Sequence, residues 1–329
     1  MKKEKIKMKI KKIFLGKENQ SASLTTYVLD DSTETLKGEA RPAVIICPGG
    51  GYFSCSDREA EPIAMYFASL GYHSFVLRYT TYYTRTLEMP DLSKPLPKKE
   101  KTIYPKQIRE LGQAMLLIRK NASKWHVDTG RIGVCGFSAG GHVAALYSTE
   151  FNEPVLTDYL GVDKNDLRPA FAILGYAITD YHLLDADLEK KKNNPMDYHF
   201  MKASNVATCG TERPDKNFET KMSAVDHVDS ETPPFFIWTT ATDPLVNPLH
   251  SLELASILAQ NNISYEIHIF DQGTHGLSLA SQAAAGSKAQ ISPVVNQWTN
   301  LCAKWLENNF ALKLPAVSDF EKMKGEGKN

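Results

Sequence analysis

RIGVCGFSAGGHVAALY, residues 131–147, carries an apolar run into Gly136-Phe137-Ser138-Ala139-Gly140 and continues at once with a helical pattern. A strand buried on both faces reads as a short, nearly continuous apolar run, and Arg131 to Gly136 is one. Ser138 then stands where strand passes into helix. Two readings compete: a nucleophile raised on a sharp turn, or a helix N-cap, a position that serine favours. The turn forces strained backbone angles on the serine and crowds its neighbours, so the first reading needs small residues. Gly136, Ala139, Gly140 and Gly141 supply them. The same turn aims the first N–H groups of the helix, at the positive end of its dipole, toward a developing anion. The Ala139 N–H is therefore a candidate oxyanion donor.

Working outward, the rhythm of this stretch repeats. Ala43 to Cys47, Ser74 to Tyr79, Ala170 to Gly175, Phe235 to Thr240 and Tyr265 to Phe270 read as further strands. Helical patterns lie between and around them at Glu59 to Leu70, Lys106 to Lys120, Ala139 to Tyr147, Leu249 to Gln260 and Val294 to Asn309. Strands alternating with helices predict a mostly parallel central sheet with helices on both faces. At the N-terminus, Ile6, Met8 and Ile10 alternate with lysines as one face of a first strand. Two long connections, residues 80–102 and 176–234, interrupt the rhythm; loops of such length are functional or mobile. The polar tail, about 315–329, is expected to be flexible.

Two more strand ends carry chemistry-bearing groups. Strand Ala43 to Cys47 runs into Pro48-Gly49-Gly50-Gly51-Tyr52, and glycines there bring bare N–H groups to a ligand. By itself such a run is equally a plain flexible turn; beside the Ser138 turn it reads as the other half of an oxyanion hole. A serine nucleophile needs a base, and the base needs an orienting carboxylate. TTATDPLV puts Asp243 just beyond Phe235 to Thr240, and DQGTHGLSL puts His275 beyond the strand ending at Phe270. The order Ser138, Asp243, His275 is that of α/β hydrolases. Asp271 shares the loop of His275 and is the poorer orienter. His142, one helical turn after Ser138, cannot face the hydroxyl and reads as a supporting residue. His268 falls within a strand, and a surface role is the default for His227 and His250.

Composition narrows the function classes. A chain of 329 residues with 42% hydrophobic content is globular, and its 38 basic and 38 acidic residues cancel, so no global field favours nucleic acid or an anionic membrane. No apolar run approaches the roughly 20 residues needed to span a bilayer. The first residues lack the continuous apolar core of a signal peptide. Cys47, Cys55, Cys135, Cys209 and Cys302 form no C-x-x-C pair and no metal-ligand spacing, which fits reduced thiols and a cytoplasmic location. No metal or organic cofactor is called for.

Four segments together, CPGGGY, GFSAGGH, TATDPLV and GTHG, resemble the α/β hydrolase superfamily, and more narrowly the bacterial acetyl esterase/lipase-like group that includes acetyl xylan esterases and related sugar-ester hydrolases. The likeness covers roughly Arg41 to Asn309 and includes SDREAEPIAMYFASLGYHSFVLRY and SAVDHVDSETPPFFIW. It implies an α/β hydrolase fold over a single domain, 1–329, with a core at about 41–309 and insertions at about 80–102 and 176–234. It further implies Ser138 as nucleophile, His275 as base then acid, Asp243 as its orienter, and Gly50, Gly51 and Ala139 as oxyanion donors. Pro48 departs from the histidine of the hormone-sensitive-lipase type, and Thr240 to Thr242 replace the acidic or glycine residues that often precede the aspartate.

The expected activity is hydrolysis of short-chain esters, acetyl first, on sugars or xylo-oligosaccharides, with a small-molecule ester as the only implied partner. The rivals are an amidase or peptidase using the same groups and a non-catalytic binding module of this fold. Tyr52, Tyr176 and the aromatics between Tyr181 and Phe200 are candidate pocket residues, with packing of an inserted segment onto the domain as the alternative for all of them. Oligomeric state is not written in one sequence, and a homo-oligomer stays open.

Overall fold

The computed structural model describes residues 8–16, 22–31, 36, 38–83 and 88–326. Among them eight strands form one sheet: β1 (Met8–Phe14), β2 (Ser23–Leu29), β3 (Arg41–Cys47), β4 (His73–Arg78), β5 (Val127–Phe137), β6 (Ala172–Gly175), β7 (Phe235–Thr240) and β8 (Tyr265–Phe270). Their order is β1-β2-β4-β3-β5-β6-β7-β8. From β4 to β8 every pairing is parallel, whereas β2 runs antiparallel to both β1 and β4. The carboxyl ends of β3, β5, β7 and β8 therefore open on one edge of the sheet, where open α/β sheets bind ligands.

Alternation along the buried strands splits the core in two. On β3, Ala43, Ile45 and Cys47 face the layer of helices Lys106–Lys120, Ser138–Glu150 and Leu249–Gln260, while Val44 and Ile46 face helices Glu61–Ser69 and Gln297–Phe310. On that second face Trp238 of β7 stacks on Trp298, ring centroids 5.0 Å apart and planes 13° from parallel. Each ring removes roughly 200 Å² from water, on the order of 5 kcal/mol at about 25 cal/mol per Å². The helices thus cover both faces, as the α/β hydrolase reading requires.

Four expectations change. β1 exists, but Ile10 is 62% exposed because β1 is the sheet edge and pairs only with β2; Ile6 lies outside the described residues. β2 was not expected: SLTTYVL breaks its apolar pattern with hydroxyl residues. The connection 176–234 is largely helical, with helices Tyr181–Lys190, Pro195–Cys209 and Lys216–Met222. The tail, too, carries a helix, Asp319–Glu326. Connection 80–102, by contrast, holds only a single 3-10 turn at its end among its described residues. No helix of the described residues is long and apolar enough to cross a membrane, and all five cysteines are buried with free thiols.

Candidate active site

β5 ends at Phe137, and Ser138 opens the next helix with φ at +50°, a left-handed conformation that costs a non-glycine residue energy. Ser138 does not cap that helix; the cap position is Phe137, without a side-chain hydrogen bond. Close packing sets the turn. A Cβ on Gly140 would lie 2.1 Å from the carbonyl oxygen of Cys47 and 2.3 Å from that of Pro48, so only glycine lets the helix start press against the end of β3. Every residue of Ser138–Glu150 is buried, Ser138 itself 9% exposed.

The three side chains expected to act together converge from the ends of β5, β7 and β8. His275 Nε2 lies 2.8 Å from Ser138 Oγ, and His275 Nδ1 lies 2.8 Å from Asp243 Oδ2. A carboxylate only accepts, so Nδ1 carries the proton and donates to Asp243, leaving Nε2 to accept from the Ser138 hydroxyl. The other Asp243 oxygen, Oδ1, accepts from the N–H groups of Leu245 and Val246 at 2.9 and 3.0 Å, which fixes the carboxylate. The threonines preceding it join the two loops. Thr240 and Thr242 hydroxyls donate to Gly273 O at 2.9 and 3.2 Å, and Gly273 N–H donates back to Thr242 at 2.9 Å. Asp271 is exposed on the same loop and stands apart from this chain of bonds.

The glycine loop lies against the serine, since a Cβ on Gly49 would sit 2.9 Å from Ser138 Cβ. Gly50 and Gly51 have φ of +130° and +59°. Gly49 N–H is committed elsewhere, donating to Glu59 Oε2 at 2.8 Å. Gly50 and Gly51, two of the expected oxyanion donors, follow Gly49 in this loop, and the third, Ala139, follows Ser138 in the helix start.

Tyr52 and Tyr176 call for a correction. Each is only 2% exposed, and neither hydroxyl is available to a substrate. Tyr52 donates to His142 Nδ1, and His142 Nε2–H donates to Met222 O at 2.7 Å. Burial pushes the His142 pKa down to about 4, so the ring is neutral and holds the start of its helix to the inserted segment. Tyr176 donates to Glu59 Oε1 at 2.6 Å, and its ring packs edge-on against His275, centroids 5.0 Å apart. Burial, and then Glu59, raise its phenol pKa well above the ordinary value. His250 is likewise no surface residue; it is fully buried with its pKa lowered to about 4 by burial.

Arg58 and Glu59 were not among the expected site residues; Glu59 stood only as the first residue of a helical pattern. They lie instead in a 3-10 turn, Asp57–Glu59, with Glu59 4% exposed. The one available signal was position: a charged pair shortly after the glycine loop. The second insertion also reaches the site, with Phe200 packed on Phe53 at 5.3 Å and its ring tip 2.7 Å from where a Gly51 Cβ would stand.

Several known proteins resemble this chain in sequence and in fold. The chain is 31% identical over 246 residues to the endo-1,4-beta-xylanase B of Butyrivibrio fibrisolvens, a match spanning 73% of this chain but 33% of that longer protein. Among solved structures, the carboxylesterase Cest-2923 from Lactobacillus plantarum WCFS1 is 28% identical with a TM-score of 0.70, covering 93% of this chain and 99% of that one. The acetyl ester-xyloside bifunctional hydrolase from Caldicellulosiruptor lactoaceticus is 28% identical with a TM-score of 0.67, covering 92% and 97%. The BD-FAE family model matches residues 29–258, and the chain belongs to that family, a group of esterases with the α/β hydrolase fold.

Proposed function

We propose that the chain is a serine carboxylesterase that removes short acyl groups, acetyl foremost, from sugars or similar polar alcohols. The observation that carries this reading is the unbroken chain of 2.8 Å contacts from Ser138 through His275 to Asp243. In the cycle, Ser138 Oγ attacks the ester carbonyl as His275 Nε2 takes its proton. Asp243 stabilises the imidazolium, and the oxyanion rests on the N–H groups of Gly50, Gly51 and Ala139, each worth about 3 kcal/mol in systems of this kind. His275 then protonates the leaving alcohol and afterwards activates the water that releases the acid. The cycle needs only the chain's own groups, in one domain whose core is residues 41–309.

The sugar part of the reading rests on likeness to the acetyl ester-xyloside hydrolase, and Phe200 close over Gly51 fits a restricted pocket. The test is labelling by a fluorophosphonate probe together with hydrolysis of acetylated xylosides and a series of nitrophenyl esters. Labelling that Ser138→Ala abolishes, and turnover falling from acetyl to long acyl chains, are expected. An unlabelled wild-type protein overturns the serine-hydrolase reading; turnover rising with chain length overturns the acetyl preference.

A further inference from the structure

We infer that Glu59 is a positioning residue of this esterase, holding the oxyanion loop and the general base in register. This rests on the reading of Ser138 and His275 given above. Each Glu59 oxygen serves a different part of the site. Oε2 accepts from Gly49 N–H at 2.8 Å, at the root of the glycine loop, and Oε1 accepts from the Tyr176 hydroxyl at 2.6 Å. The Tyr176 ring lies against the His275 ring, and its hydroxyl accepts from Ser278 N–H at 2.9 Å, three residues beyond that histidine.

Arg58 completes the bracket from the other side. Its Nη2 donates to Gly276 O and its Nε to Ala284 O, both at 2.7 Å, while its own carbonyl accepts from the Ser278 hydroxyl at 2.6 Å. Two adjacent residues of one 3-10 turn thus hold both the loop that meets the oxyanion and the loop that carries the base. A buried carboxylate spending both oxygens this way serves geometry: by anchoring Gly49 N–H it fixes the peptide planes that follow at Gly50 and Gly51. Donors must sit within about 2.7–3.1 Å of the oxyanion, so a small rotation there is felt in the transition state and not in substrate binding.

Glu59→Gln tests this, because an amide presents a donor where one of the two bonds needs an acceptor. The measurements are kcat and KM for an acetyl ester, normalised to fluorophosphonate-titrated sites, and Ki for a boronic acid that forms a tetrahedral adduct with Ser138. A fall in kcat of about 10–100-fold with KM within about threefold is expected, with Ki for the boronic acid rising in parallel. Unchanged kcat per titrated site, or a loss confined to KM, overturns the inference. Should Glu59→Gln fail to fold, Tyr176→Phe decides, since it keeps the ring and removes only the hydroxyl link; wild-type kcat there overturns the inference, and a fall of about tenfold supports it. An inactive, unlabelled wild type would instead remove the esterase reading itself, a result separable from an active wild type with an indifferent Glu59.

Discussion

Asp243→Asn gives a sharp forecast because the structure fixes how the new amide must sit. Oδ1 of Asp243 is held by two backbone donors, Leu245 and Val246, at 2.9 and 3.0 Å. The amide oxygen of an asparagine takes that place, since its NH2 group there would face two N–H groups. The NH2 then points at His275 Nδ1, where Oδ2 now accepts at 2.8 Å. Nδ1 must become the acceptor, the ring proton moves to Nε2, and Ser138 faces a donor where it needs a base. A wrong tautomer of this kind lowers kcat by ~10⁴-fold, or about 5.5 kcal/mol of transition-state stabilisation. KM should stay within about threefold, because the Asp243 side chain is 1% exposed and both its oxygens are already engaged. The assay is steady-state hydrolysis of a nitrophenyl acetate with thermal melting as a fold control. A folded Asp243→Asn protein that loses less than about tenfold in kcat would refute the assignment of Asp243 as orienter.

Two further outcomes follow from packing and burial. Gly140→Ala puts a methyl group 2.1 Å from the Cys47 carbonyl oxygen, a backbone atom that cannot rotate away, so a loss of about 2 kcal/mol or more is expected in urea unfolding; a wild-type midpoint would contradict the close approach of helix and β3. His73, His142 and His250 are buried with pKa values lowered to about 4 from an ordinary 6.5. Between those values the unfolded chain binds protons that the folded chain refuses, so stability falls as pH drops from 6.5 toward 4, by on the order of 1–3 kcal/mol for each ring. Glu150, raised from 4.5 to about 8 by burial, works in the opposite sense, its stabilising share being lost progressively as pH rises from 4.5 to 8. The three rings outweigh Glu150 and the smaller upward shift of Glu110 in this window, so the urea midpoint should decline on acidification below 6.5, and a midpoint that stays level or climbs from pH 6.5 to 5 would count against neutral buried histidines.

The candidate residues that the sequence singled out and the structure brings together share one property: each stands at the end of a recognisable strand. An apolar run marks β3, β5, β7 and β8, and the residue just beyond a parallel strand falls on the binding edge whatever the rest of the chain does. His142 was also placed correctly, since a residue one turn along a helix cannot share the direction of the residue that starts it. The errors have the opposite character. Ile10 alternates like a half-buried residue, but the pattern does not say that its strand ends the sheet. Tyr52 and Tyr176 lie near the right strand ends, yet what their hydroxyls reach, His142 and Glu59, is 90 and 117 residues away in the chain.

The sequence by itself therefore determined the fold class and singled out Ser138, Asp243 and His275 as candidates, because strand periodicity and small residues at a sharp turn are local constraints. Only the tertiary structure decided that the insertion at 176–234 folds as helices that set Phe200 over Gly51, and that Tyr52 and Tyr176 are supports. It alone joined Glu59 to both the glycine loop and the histidine loop. A buried carboxylate looks in sequence like any charged helix start; its partner Tyr176 is 117 residues away in the chain, and only the pairing of the parallel strands brings that hydroxyl to within a hydrogen bond of it.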